Sequence, residues 1–434
     1  MGFYLSKPQL QKRHSGPIDT ATRDRKTYQQ SCSGLSVFDS LYSTQSLMPV
    51  THAHDPLARE KEDEHPTFPL LSFIWDPESP PEYPEDEDAI KFLPLERGFQ
   101  WVSQLPGCRQ SKHWGSTKKV TMQFLDEIHT SMKNSVSKLP EELQQRSDNI
   151  ERAKKEQDLI ETAVRSITHM MPDASAVRSG IIAQSMLIIF LHNDVVELDP
   201  SQAGHTVADE IMHLWRESTD GELQIPEATL QGGNFLHSFT KRVLEEDPIS
   251  GKELLKGAYR WVVFTRGYKT IPPSTFESLR SYLDYRDIDI GNDLLLGQVA
   301  FACDVRFCEE DKAILKNLIR LWEDHISLVN DLYSFHKEYE KSKSGWLILN
   351  AIDVIRKTNG VSTFTAKKIA REIIFDLEIQ FYKEFKRLLD HSLLNSCQEK
   401  LAKGIAKCMA GHVYYSVTNP RYSGPGTTVF NSTD

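Results

Sequence analysis

The stretch SLVNDLYSFHKEYEKS, running from Ser327 to Ser342, decides how this chain is read. Its apolar residues recur at helical spacing, yet Asn330, Ser334 and Glu338 fall four apart. In an α-helix such positions lie along one slowly drifting stripe, so an amide, a hydroxyl and a carboxylate share a direction. The stripe is either the wet face of an ordinary helix or a set of hard oxygen donors. Mg²⁺ suits the second reading, because it takes few protein ligands and binds chiefly together with substrate phosphates.

Bulk properties narrow the choices. The chain has 434 residues, 39% hydrophobic content and a formal net charge of −10. That length allows two or three domains or one large helical domain. The acidic balance argues against nucleic acid as a partner, which needs a basic footprint. An anionic small substrate stays possible if metal ions or a local Arg/Lys cluster neutralise it. Cysteines 32, 108, 303, 308, 397 and 408 form no CxxC pair. Zinc and a disulfide framework are therefore not expected, and a reducing, cytoplasmic setting fits. No signal pattern opens the chain, and the apolar run GIIAQSMLIIFL is too short for a bilayer, so no stable membrane anchor is expected.

Residues 1–66, rich in Ser, Thr, Gln and charge, read as a disordered tail. The Pro-rich segment that follows reads as an extended wrap pinned by Phe68, Phe73 and Trp75, and its acidic run at 85–88 as a solvated loop. From about residue 116 the chain reads helix after helix. LPEELQQ places Pro140 and two glutamates in a first turn. DASAVRSGIIAQSMLIIFLHNDVVELD is apolar nearly all round in its middle, as in a buried central helix. Further helices are expected near 203–217, 226–246, 251–268, 274–300, 308–343, 361–393 and 395–416. Alternating strand patterns are almost absent, so 67–434 is expected to be one all-α domain.

A second oxygen-rich stripe ends the buried helix. In FLHNDVVELDP, Asp194 and Glu197 are three apart and share a face, with Asn193 adjacent. Two acids at the end of an apolar helix are costly unless solvated, paired or metal-bound. Either stripe alone has the plain reading of a polar helix surface. Two such stripes in one all-α domain shift the balance: if their helices are neighbours, the stripes could hold several Mg²⁺ ions between them.

With both stripes in view, NDLYSFHKE resembles the N-D-x-x-S-x-x-x-E metal motif of class I terpene synthases, with the Lys-Glu ending of fungal members. NDVVE is similar to their aspartate-rich motif. YLDYRDIDIG resembles the segment holding the diphosphate-sensing arginine, here Arg286, 44 residues before Asn330. NPRYSG resembles the C-terminal Arg-Tyr pair, here Arg421 and Tyr422, beginning 91 residues after Asn330. The resemblance implies a class I terpenoid-synthase helical bundle around a central apolar cavity. It also implies three Mg²⁺ ions on Asn193, Asp194, Glu197, Asn330, Ser334 and Glu338. Arg286, Lys337, Arg421 and Tyr422 then bind the diphosphate of a linear prenyl substrate, and Asp289 is the linker beside Arg286. Trp75, Met186, Phe190, Tyr282, Trp322 and Ile326 are candidates for the cavity wall, with plain core packing as their other reading.

Two departures stand out. The first aspartate of the family motif is Asn193, a weaker neutral donor, and Gly291 comes one position later than the family's effector residue. A second aspartate-rich motif is missing, which disfavours chain elongation, and no D-x-D-D motif supports protonation-initiated cyclisation. YRDIDIG is similar to the same segment in fungal humulene-type sesquiterpene synthases and in the cyclase halves of fungal chimeric diterpene synthases. This resemblance implies cyclisation of farnesyl diphosphate to a humulene-type sesquiterpene, by a monomer or homodimer. A diterpene cyclase acting on geranylgeranyl diphosphate and a catalytically inactive helical binding protein are the alternatives.

Overall fold

The computed structural model describes residues 47–57, 68–80, 83–99, 101–136, 149–198, 205–219, 221–227, 234–266, 271–343, 345, 347–424 and 427–429. The side chains of Asn193, Asp194 and Glu197 lie outside this description, as do residues 1–46 and 58–66 of the expected tail. The described residues belong to one unit, Thr44–Asp434.

Twelve α-helices lie among them. The first three are α1 (Trp114–Val136), α2 (Asn149–Met170) and α3 (Ala176–Leu198), and α4 (His205–Leu214), α5 (Phe235–Glu246) and α6 (Ser250–Arg266) follow. Then come α7 (Leu279–Ile290), α8 (Asn292–Ala302), α9 (Glu309–Ser342), α10 (Ala351–Asn359), α11 (Thr363–Asp390) and α12 (Ser396–Thr418). Among the described residues, extended structure is limited to three short antiparallel pairs: β1 (His52–Ala53) with β6 (Thr428–Val429), β2 (Ala89–Phe92) with β3 (Cys108–Ser111), and β4 (Arg216–Glu217) with β5 (Leu223–Gln224).

α12 runs through the core and is buried from Gln398 to Thr418 except at Glu399 and Lys400. It packs against α2, α8 and α9. Its approach to α2 depends on Gly411, where a Cβ would fall 1.9 Å from the His169 carbonyl oxygen. α9 is the longest helix, with Glu309, Glu310 and Asp311 in its first turn, where carboxylates meet the positive end of the helix dipole. Its apolar stripe, from Leu315 through Ile319, Trp322 and Ile326 to Leu332, is buried. None of the described helices is long and apolar enough to cross a membrane. The five described cysteines are free.

Several expectations change. The helix expected over 274–300 is two helices, because Gly291 adopts φ +82° and ends α7. A Cβ there would stand 2.8 Å from the Trp261 ring, so the position needs glycine for space as well as for backbone conformation. α10 was not expected, although Asn350 caps its start and Gly360 closes it in the left-handed conformation. Residues 47–57 fall within the stretch expected to be a tail, yet they pack on the domain through β1 and a buried ion pair between Asp55 and Arg371. The acidic run is no solvated loop at Asp86. That carboxylate is buried against Arg109 at 2.7 Å and Lys407 at 3.0 Å, and both cations also reach Asp173. Burial opposes the Asp86 charge, but Lys407 and Arg109 together hold the carboxyl well below its usual range. The two cations and two anions tie the Pro-rich wrap to α12.

Candidate active site

α9 presents Asn330, Ser334 and Glu338 on one face, and three other segments converge there. α7 carries Tyr282, Arg286 and Asp289. The turn Pro420–Tyr422 follows α12, and Asn350 stands at the start of α10.

The centre of the cluster is Asp331, fully buried on α9. Its carboxylate accepts from the Tyr282 hydroxyl at 2.5 Å and the Ala351 backbone N–H at 2.8 Å. It also pairs with Arg286, whose Nη2 lies 2.9 Å away and whose Nε lies 3.1 Å away. Arg286 Nη2 donates to Asn330 Oδ1 at 3.0 Å, and Nη1 pairs with Asp289. Asn330 Nδ2 in turn donates to the Tyr422 hydroxyl at 2.9 Å. Arg286, Asn330 and Tyr422, spread over 137 positions of sequence, thus form one connected chain of hydrogen bonds.

Ser334 Oγ donates to Glu338 Oε1 at 2.5 Å, and Asn350 Nδ2 donates to Glu338 Oε2 at 3.1 Å. Burial, and then the charge of Asp331, push the Glu338 carboxyl above its ordinary range. Around Arg286 burial works against the charge, yet Asp331, Tyr282 and Asp289 hold the guanidinium well above its usual value. Burial, with Asp331 adding to it, pushes the Tyr282 hydroxyl well up as well.

These residues fit a divalent ion by their donor chemistry. Amide, hydroxyl and carboxylate oxygens are hard donors, and a carboxyl raised by burial beside a second carboxylate is a setting that a cation relieves. Among the described residues no three His, Cys, Asp or Glu side chains could hold a metal by themselves.

Arg421 lies over the Phe190 ring, with 5.7 Å from its guanidinium carbon to the ring centroid. Phe190 is on α3 one turn before Asp194, so the end of α3 and the Arg421 turn meet at one end of the bundle. Lys337 is half-buried on α9 beside Glu338. Met186 and Phe190 are half-buried, whereas Trp322 and Ile326 are closed within the packed core. Trp75 is not brought to the group. It packs against Gly107 and the wrap, whose neighbouring Phe73 lies beneath Lys403 and Lys407 of α12. Those lysines precede Arg421 along the chain by some 20 Å of helix.

Sequence reasoning missed Asp331 and Asn350. A carboxylate at 331, about 100° round the helix from Asn330 and among Leu328, Leu332 and Phe335, was the available signal of a buried ion pair. Asn350 carried no comparable signal, because its contact with Glu338 depends on how α10 docks.

Comparison with known proteins gives the chain's family. Residues 184–379 match the family model described as terpene synthase family 2, C-terminal metal binding, a span that contains both oxygen-rich stripes and Arg286. Terpene cyclase 6 of Gibberella fujikuroi is 30% identical over 348 residues, covering 80% of this chain and 88% of that protein. Terpene cyclase aneC of Aspergillus aculeatus is 25% identical, covering 78% of this chain and 74% of its own length. In fold, the chain is similar to the crystal structure of aristolochene synthase from Penicillium roqueforti. The TM-score is 0.52 at 15% identity, over 70% of this chain and 94% of that one. This chain belongs to the family of fungal terpene synthases and is an all-α class I terpene cyclase.

Proposed function

We propose that the enzyme ionises and cyclises farnesyl diphosphate to a humulene-type sesquiterpene, with Mg²⁺ as its metal. The observation that carries ionisation of a prenyl diphosphate is the continuous link Arg286–Asn330–Tyr422, which sets a fixed cation beside the oxygen stripe of α9. The chain length and product rest on the resemblance of YRDIDIG. Asn330, Ser334 and Glu338, with Asp194, Glu197 and Asn193 on α3, are the residues that would hold three Mg²⁺ ions. The bound metal would supply Lewis acidity and charge neutralisation for the departing diphosphate.

The protein's own groups do the rest. Asp331 and Asp289 fix the guanidinium of Arg286 before substrate arrives, so little reorganisation is needed as negative charge develops on the leaving group. Lys337 and Arg421 add two further cations, and the Tyr422 hydroxyl donates to the same anion. The diphosphate leaves with the bonding electron pair, C1 bonds to the distal double bond, and loss of one proton restores neutrality. Phe190 and Met186, half-buried one and two turns before Asp194, present an aromatic face and a polarisable thioether to the cationic chain. Trp322, Ile326 and Trp75 act as packing in this reading, consistent with their burial or position, and Tyr282 supports Asp331 behind Arg286 through its hydroxyl.

Incubation with farnesyl diphosphate, with and without Mg²⁺, tests the proposal, with volatile products analysed by gas chromatography. Release of diphosphate and a macrocyclic hydrocarbon only with metal is the expected result. Turnover of geranylgeranyl diphosphate alone would transfer the reading to a diterpene cyclase. No turnover at any chain length would sink it.

A further inference from the structure

Residues 47–57 form a strap across the helices. The Met48 N–H donates to Gln110 Oε1 at 2.7 Å, and the Pro49 carbonyl accepts from Arg165 at 3.2 Å. His52 and Ala53 pair with Val429 and Thr428, and the His54 N–H donates to the Val417 carbonyl at 2.9 Å. Asp55 closes the strap on Arg371 at 2.5 Å, with side chains 3% and 9% exposed.

The partner of this strap is the direct continuation of the Arg421–Tyr422 turn. Five residues separate Tyr422 from Thr428. Thr427 Oγ1 reaches the His54 ring at 3.4 Å and donates to the Gly424 carbonyl at 2.6 Å. Gly424 lies against His336 of α9, where a Cβ would come within 2.8 Å of the ring. Thr427 and Gly424, which follow Tyr422, are therefore held between the strap and α9. Docking of the strap also has an opposing term. It lies against Arg165, 3% exposed, whose Nε and Nη1 have no hydrogen-bond partner among the described residues. A buried guanidinium served by one carbonyl disfavours the closed state, so the Asp55–Arg371 pair and the strand pairing have to hold it.

We propose that the strap is a positioning element for the reaction: by holding the segment after Tyr422, it sets Arg421 against Phe190 and Tyr422 against Asn330, so that residues remote from the substrate govern diphosphate binding. The proposal rests on Arg421 and Tyr422 being diphosphate ligands. If loss of the clamp leaves the turn correctly set a tenth of the time, apparent affinity falls about tenfold.

The test uses the full chain and inorganic diphosphate with Mg²⁺, measured by calorimetry, with KM and kcat for farnesyl diphosphate and the melting temperature alongside. Thr428→Pro, at an exposed position, breaks the strand pairing, and Asp55→Asn removes the anchor charge. Both are expected to weaken diphosphate binding about tenfold and to raise KM more than they lower kcat. In an Arg421→Ala/Tyr422→Phe background the same substitutions are expected to add less than about twofold, because they act through those two side chains. Unchanged affinity in both variants, with normal binding by the unmodified chain, would overturn the strap's role alone. So would effects that add fully to Arg421→Ala/Tyr422→Phe, which mark general destabilisation. Absence of diphosphate binding by the unmodified chain would overturn the site reading and the strap's role together.

Discussion

Asp331→Asn isolates the contribution of one charge. The substitution keeps the side chain's size, and an amide can still accept from the Ala351 N–H and face the Tyr282 hydroxyl. What it removes is the anion beside Arg286, now contacted at 2.9 and 3.1 Å in a site where the Arg286 side chain is 13% exposed. Breaking a buried ion pair from one side costs about 3–5 kcal/mol. The lower end applies here, because Asp289 remains as a second partner. For a unit of this length, about 3 kcal/mol corresponds to a fall in melting temperature of about 4 °C. The functional effect is expected to be larger, because a guanidinium displaced by about 1 Å from its aim on the diphosphate costs on the order of 10²-fold in kcat/KM. Scanning calorimetry and steady-state kinetics with prenyl diphosphate read both quantities. A melting point within about 1 °C of the parent and kcat/KM within about twofold would refute the claim that Asp331 holds Arg286 in place.

Three further outcomes are expected. Glu338→Ala should abolish turnover while circular dichroism remains native, and near-normal activity would remove Glu338 from the metal ligands. Asn193→Asp should keep or raise activity and lower the Mg²⁺ concentration needed for half-maximal rate, whereas strong loss with unaltered folding would give Asn193 another job. Glu323, raised to about 8 by burial and then by Asp287, binds a proton in the folded chain that the unfolded chain has released. Stability should therefore fall as pH climbs from about 5 to about 8, by on the order of a few kcal/mol. Glu323→Gln should flatten that slope in urea titrations, and an unchanged slope would remove Glu323 as its source.

How far the sequence reached differs from residue to residue. Asn330, Ser334 and Glu338 were legible because all three depend on one local fact, the period of a helix. Gly291 marked a departure in the sequence, but its consequence, a break between α7 and α8, depends on the ring of Trp261 occupying the space a side chain would need. Asp86 was misread because its partners Arg109, Asp173 and Lys407 are distant in sequence, and no local pattern distinguishes a buried acidic residue from a solvated one. The strap was missed for the same reason, since its pairing partner lies at the other end of the chain.

The sequence by itself determined the all-α class, the two oxygen-rich stripes and the order of the arginines around them. These follow from side-chain chemistry and from periods of three to four residues, which act over one or two helical turns. Only the tertiary structure decided that Asp331 stands behind Arg286, that Asn350 reaches Glu338, and that the strap closes on the chain beyond Tyr422. Those contacts join residues 12 to more than 370 positions apart. The packing of whole helices, not the preference of any segment, brings them within hydrogen-bonding distance.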